Sequence, residues 1–164
     1  MPFELEYLRV LNGPLAIGGN PVSSVLPSGT GALTATKYSD MCFTDEFAEL
    51  AINFTITAVA GTFASGQGLI LKLHVLDSAF PSDNVAVSGN AFSPPLIIVL
   101  NSTAITAATG IRVVITRSGT IGIWIGNTFT SLGTLNVPQL WLIEFNISGT
   151  SPSFTIQTSY EARR

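Results

Sequence analysis

Trp141-Leu142-Ile143-Glu144-Phe145-Asn146-Ile147-Ser148-Gly149-Thr150-Ser151-Pro152-Ser153-Phe154-Thr155-Ile156-Gln157-Thr158-Ser159-Tyr160 reads as two β-strands on either side of a Ser/Gly/Thr/Pro turn. In the second strand Phe154, Ile156, Thr158 and Tyr160 share one face, while Ser153, Thr155, Gln157 and Ser159 share the other. That period of two belongs to an antiparallel strand with one face in the core. In the first strand Trp141, Ile143, Phe145 and Ile147 fall together, which assigns Trp141 to the core. The two strands are expected to form a hairpin that closes the edge of a sandwich.

Working backwards from this pair, strand patterns follow one another with turn residues between them. Leu50, Ile52, Phe54, Ile56 and Ala58 alternate with Asn53, Thr55 and Thr57; Leu69, Leu71, Leu73 and Val75 alternate with Ile70, Lys72, His74 and Leu76. Between them, residues 61 to 68 read as a flexible loop, and Thr44 or Asp45 could cap a helical turn before the first of the two strands. Residues 77 to 95, broken by Pro81, Asn84, Gly89, Pro94 and Pro95, read as a long surface excursion with one short strand at Val85-Ala86-Val87. Leu96 to Leu100 reads as a strand buried on both faces. Ile111, Val113 and Ile115, then a Ser118-Gly119 turn, then Ile121, Ile123 and Ile125, make a hairpin. Gly122 and Gly126 flank Trp124 and leave room on its face for an aromatic ring, a neighbouring backbone or a ligand.

Seven to nine strands with no crossover helices predict an all-β protein, an antiparallel β-sandwich of jelly-roll-like topology. Residues 41–164 are assigned to the sandwich. Residues 1–40, interrupted by Gly13, Pro14, Gly18, Gly19, Pro21, Pro27, Gly29 and Gly31, are assigned to an extended Gly/Pro-rich N-terminal arm.

Charged residues make up only 10% of the 164-residue chain, against roughly 25% in ordinary soluble proteins, and mean hydropathy is +0.47. So apolar a surface predicts that other subunits cover part of it, in a homo-oligomer such as a trimer. A net charge of -3 with seven scattered Lys and Arg speaks against nucleic-acid binding. No secretory leader is expected from Met1 to Glu6, and no apolar run is long enough for a membrane helix.

Chemistry is sparsely encoded. One histidine, His74, cannot build a multi-histidine metal site, and it reads as a surface or interface side chain beside Lys72. No Gly-x-Ser-x-Gly turn occurs to present a nucleophile, and neither a phosphate loop nor a dinucleotide fingerprint is found. Cys42, the one cysteine, reads as a small buried residue. Asp40, Asp45, Glu46 and Glu49 cluster without calcium-loop spacing and read as a solvated acidic turn. Glu144 lies on the mixed face of its strand with no recognisable partner for paired-carboxylate chemistry. The expectation is therefore no catalytic, cofactor or metal residues, no cofactor, no small-molecule substrate and no enzyme. Phe3, Leu5, Tyr7, Leu8 and Val10 of the arm, together with Trp124, are the candidate partner-interface residues.

Asn146-Ile147-Ser148-Gly149-Thr150-Ser151-Pro152-Ser153-Phe154-Thr155-Ile156 resembles the closing strands and turn of small β-sandwich virion proteins of tailed bacteriophages, and Leu69 to Ser78 looks like an earlier strand of such proteins. The resemblance implies a non-enzymatic capsid decoration or cement protein, or a tail or head-completion protein. Such a protein would contact the major capsid protein and reside in the virion, assembled in the host cytoplasm. The competing expectation is a carbohydrate-binding β-sandwich module with Trp124 stacking on sugar rings.

Overall fold

The structure is a computed structural model that describes residues 9–10, 31–39, 42–44, 49–75, 96–138 and 140–163. In chain order the strands are β1 (Arg9–Val10), β2 (Lys37–Tyr38), β3 (Cys42–Phe43), β4 (Glu49–Thr62), β5 (Leu69–Val75) and β6 (Leu96–Val99). They continue with β7 (Thr109–Ile115), β8 (Thr120–Ile125), β9 (Thr128–Thr134), β10 (Leu140–Ile147) and β11 (Thr150–Arg163). One sheet has the order β1-β11-β4-β7-β8-β9; the other has β2-β10-β5-β6, with β3 also paired to β10. The fold is an all-β, antiparallel, jelly-roll-like sandwich.

The apolar phase of each long strand builds the space between the sheets. Leu50, Ile52, Phe54 and Ile56 face Leu69, Leu71, Leu73 and Val75, with Val113, Ile123, Ile143, Phe145, Phe154 and Ile156 filling the same core. Trp141 is fully buried, as its phase requires, and packs edge-on against Tyr160 with ring centroids 5.1 Å apart. Phe54 and Phe145 form a second edge-on pair at 6.0 Å. Both pairs reach from one sheet to the other, so each ties the layers together by more than its buried area. Cys42 is buried.

The quoted stretch is not a hairpin. β10 pairs with β5 and β11 pairs with β4, so the chain crosses from one sheet to the other at Ser148-Gly149. Gly149 makes the crossing with φ +139°, and a Cβ there would meet the Phe63 ring at 2.8 Å. Alternation fixes which face of each strand is buried, but not which strand lies alongside it.

Two further differences have local causes. In β4 the buried phase shifts beyond Ile56, because a register irregularity sets Ala58 opposite Thr155 but Ile56 opposite Ile156. This bulge brings Val59 opposite Phe154 and leaves Ala58 exposed. β6, expected to be buried on both faces, carries exposed Leu96, Ile97 and Val99, because among the described residues it pairs along the path of its sheet with β5 alone. Just beyond it Leu100 turns into the core and Asn101 is buried. The Asn101 amide takes the place of a further ladder residue: Leu71 N donates to its Oδ1 at 2.8 Å, and its Nδ2 donates to the carbonyls of Leu69 and Thr103.

Candidate functional site

Two outward faces carry chemistry. On the six-stranded sheet, Trp124 of β8 lies directly between Arg112 of β7 and Phe129 of β9 in the register. Trp124 is 43% exposed and Phe129 50%, with ring centroids 5.0 Å apart. The space expected beside Trp124 is filled by a ring of the same chain: a Cβ at Gly122 would lie 2.5 Å from Phe129 Cε2. The missing side chain lets Phe129 lie against the sheet, so the two rings form a joint apolar surface. Next to it is a depression of about 300 Å³ bordered by Asn53, Thr55, Arg112, Trp124 and Asn127. Its floor passes Gly110 and Gly126, and the position of a Gly110 Cβ has no neighbour within 4 Å. Arg112 Nη1 donates to Asn53 Oδ1 at 3.1 Å, and Arg112 Nη2 lies 3.9 Å from Glu161 Oε2.

The second face belongs to the β2-β10-β5-β6 sheet. Here the polar phase of β10 meets the polar phase of β5, with Glu144 opposite Lys72 and Leu142 opposite His74. Glu144 is only 5% exposed. Its Oε1 accepts from Lys72 Nζ at 2.8 Å and from Asn146 Nδ2 at 2.9 Å, and its Oε2 lies 2.8 Å from His74 Nε2. Burial raises the Glu144 pKa, but the hydrogen bonds from Lys72, Asn146 and His74, with the charge of Lys72, outweigh it and bring the value to about 2. Tyr38, opposite Glu144 on β2, sets its exposed ring edge-on against the His74 ring at 5.8 Å. Among the described residues no group of three or more His, Cys, Asp or Glu is placed to hold a metal ion.

Trp124 is thus brought into a polar and aromatic surface, whereas Phe3, Leu5, Tyr7 and Leu8 lie outside the described residues. Val10 enters through its backbone, paired with Glu161. His74 is nearly buried, and Glu144, which had no partner in the sequence, has three. The missing signal was pairing. Lys72 and His74 on one strand, and Glu144 and Asn146 on another, are outward phases of matching polarity, but they meet only once β5 and β10 are known to be neighbours. Phe129 and Tyr38 were missed because β9 has no apolar alternation and β2 is two residues long.

No protein-family model matches the chain, and no curated protein does. Among solved structures it is similar to the alginate lyase AlgAT5 from polysaccharide lyase family 7, at 9% identity over 84% of this chain and 70% of that one, with a TM-score of 0.39. It is also similar to the polysaccharide lyase family 18 enzyme aly-SJ02, at 10% identity over 78% and 79% of the two chains, with a TM-score of 0.36. A third is the alginate lyase AlyC3, at 12% identity over 73% of this chain and 64% of that one, with a TM-score of 0.30.

These matches correct the expectation of a non-enzymatic capsid or virion protein. All three are polysaccharide lyases, and with the virion reading goes the expectation that the chain is no enzyme. Low charge and Ser/Thr-rich faces describe a surface, not what it meets, and one sandwich architecture serves many functions. With TM-scores below 0.5 the likeness assigns this chain neither residues nor a reaction, so its chemistry must be read from its own surface.

Proposed function

We propose that this protein is a carbohydrate-active β-sandwich that binds a saccharide chain on the outer face of its six-stranded sheet. The observation that carries the reading is the exposed Trp124–Phe129 pair, seated over Gly122 and bordered by amide, hydroxyl and guanidinium groups. The C–H faces of a sugar ring stack on aromatic rings, while its hydroxyls need donors and acceptors at the rim of the platform. Asn53, Thr55, Arg112 and Asn127 supply that rim. Titration of the protein with a panel of soluble polysaccharides by calorimetry and affinity electrophoresis tests it. Binding is expected, and Trp124→Ala should weaken it about tenfold at an unchanged Tm. Failure to bind any polysaccharide, or binding indifferent to Trp124→Ala, refutes the reading.

The other face favours a second reading, in which the protein also cleaves a polysaccharide, one taken up on the β2-β10-β5-β6 sheet. His74 is oriented by the Glu144 carboxylate and stands beside the Tyr38 phenol, the combination of an oriented imidazole and a second proton carrier that acid–base catalysis employs. Polysaccharide cleavage that is lost in both His74→Gln and Tyr38→Phe, with the fold intact, would support it. Cleavage unaffected by either substitution, or no cleavage by the unaltered protein, would remove it.

A further inference from the structure

Ser159 of β11, Asn53 of β4, Arg112 of β7, Trp124 of β8 and Phe129 of β9 are direct cross-strand partners, each of the next. They form one row perpendicular to the strands. At ~4.8 Å per strand its four gaps span about 19 Å, the length of about four linked sugar rings.

The row changes character along its length. Two rings occupy one end, and a hydrogen-bonded relay occupies the other: Arg112 Nη1 donates to Asn53 Oδ1, and Asn53 Nδ2 donates to Ser159 Oγ at 3.4 Å. The relay holds these polar groups in place before any ligand arrives, which lowers the ordering cost of binding. Gly110 and Gly126 keep the floor beside Trp124 clear of side chains: the nearest atom to a Gly126 Cβ would be Thr109 Oγ1, at 3.9 Å. Arg112 is the one cation of the row. Its guanidinium is turned to Asn53 and lies near the Glu161 carboxylate, and the chain as a whole is negative. It therefore serves as a directed hydrogen-bond donor, with a carboxylate and not a second cation beside it.

From this arrangement we infer that the site takes a linear neutral polysaccharide lying across the strands, with two sugar residues on the aromatic end and about two on the relay. The inference rests on Trp124 and Phe129 being a saccharide platform, and adds the chemical class and the direction of the chain. The test titrates the full chain with neutral β-1,4-glucan, xylan and mannan oligosaccharides from disaccharide to hexasaccharide, and with an oligouronate series, at low and high salt.

Affinity for the neutral series should rise up to the tetrasaccharide and then level off, with little response to salt. Asn53→Ala should weaken tetrasaccharide binding about fivefold and disaccharide binding distinctly less. Gly110→Val, which fills the floor where no atom stands, should weaken both at an unchanged Tm. Equal affinity for disaccharide and tetrasaccharide, or an equal effect of Asn53→Ala on both, overturns the direction. Salt-sensitive binding that prefers the oligouronate overturns the neutral class. Either result leaves the platform standing, whereas indifference of all binding to Trp124→Ala, or no binding at all, overturns the platform and this inference with it.

Discussion

Replacing Glu144 by glutamine should destabilise the fold by an amount that depends on pH in a defined sense. In the folded chain the Glu144 carboxyl is held at about 2, against its ordinary 4.5. At ~1.4 kcal/mol per tenfold change in acidity this corresponds to about 3 kcal/mol. Glutamine keeps the shape and part of the hydrogen bonding, so the expected loss near neutral pH is about 2 kcal/mol, or roughly 4–8 °C in Tm. Because the folded value lies below the unfolded one, the stabilisation is fully present above pH 4.5. It is lost as the pH falls through about 2, where the carboxyl is protonated in both states. Urea unfolding of the two proteins across the acid range measures this, and the difference between them separates Glu144 from the other carboxyls. The gap should be widest above pH 4.5 and narrow steadily towards pH 2. A gap that stays constant over that range would refute the account of Glu144 as a buried anion held by Lys72, Asn146 and His74, and would leave only a packing role.

Asn101→Ala should cost about 2 kcal/mol in urea unfolding, because it strips the partner from the buried Leu71 N–H and leaves the Leu69 carbonyl with Ile105 N–H as its remaining donor. Gly149→Ala should lower Tm by several degrees, since an alanine must take up φ +139° and press its Cβ to 2.8 Å from the Phe63 ring. Gly122→Ala separates folding from binding. Its Cβ displaces the half-exposed Phe129 ring and not the backbone, so stability should change by less than about 0.5 kcal/mol. Saccharide affinity should nevertheless fall severalfold in calorimetry as the joint surface with Trp124 is broken. Phe145→Ala removes one ring of the Phe54 pair from the centre of the core and should cost about 3–5 kcal/mol by the same unfolding assay.

Much of the fold is written as alternation, and alternation is a local property. The buried phases of β5, β7, β8, β10 and β11 follow directly from their residues, and so does the burial of Trp141, because a one-residue error would turn an entire apolar row to solvent. Where a partner strand intervenes the sequence falls silent. The bulge of β4 opposite Thr155 and Ile156 moves the core phase from Ile56 to Val59, and no residue of β4 announces it. The crossing at Ser148-Gly149 looks the same as a hairpin turn, because Gly and Pro suit both.

The candidate sites lie at the far end of the same scale. Trp124 was visible through its two glycines, since an aromatic residue between glycines requires something to occupy the space, and Phe129 does so from a strand without an apolar pattern. The row from Ser159 to Phe129 could not be seen at all, because each of its five residues comes from a different strand and none lies closer than five positions to the next in the chain. A polar outward phase is ordinarily just solvated surface. It becomes a site when the register sets two rings and a hydrogen-bonded relay in one line, and the sheet order that does so is fixed by the opposite, apolar faces of the same strands. The core of this sandwich thereby determines its outer surface, and a substitution that shifted the register of β8 by one residue would bury Trp124 and dismantle the row along with the core.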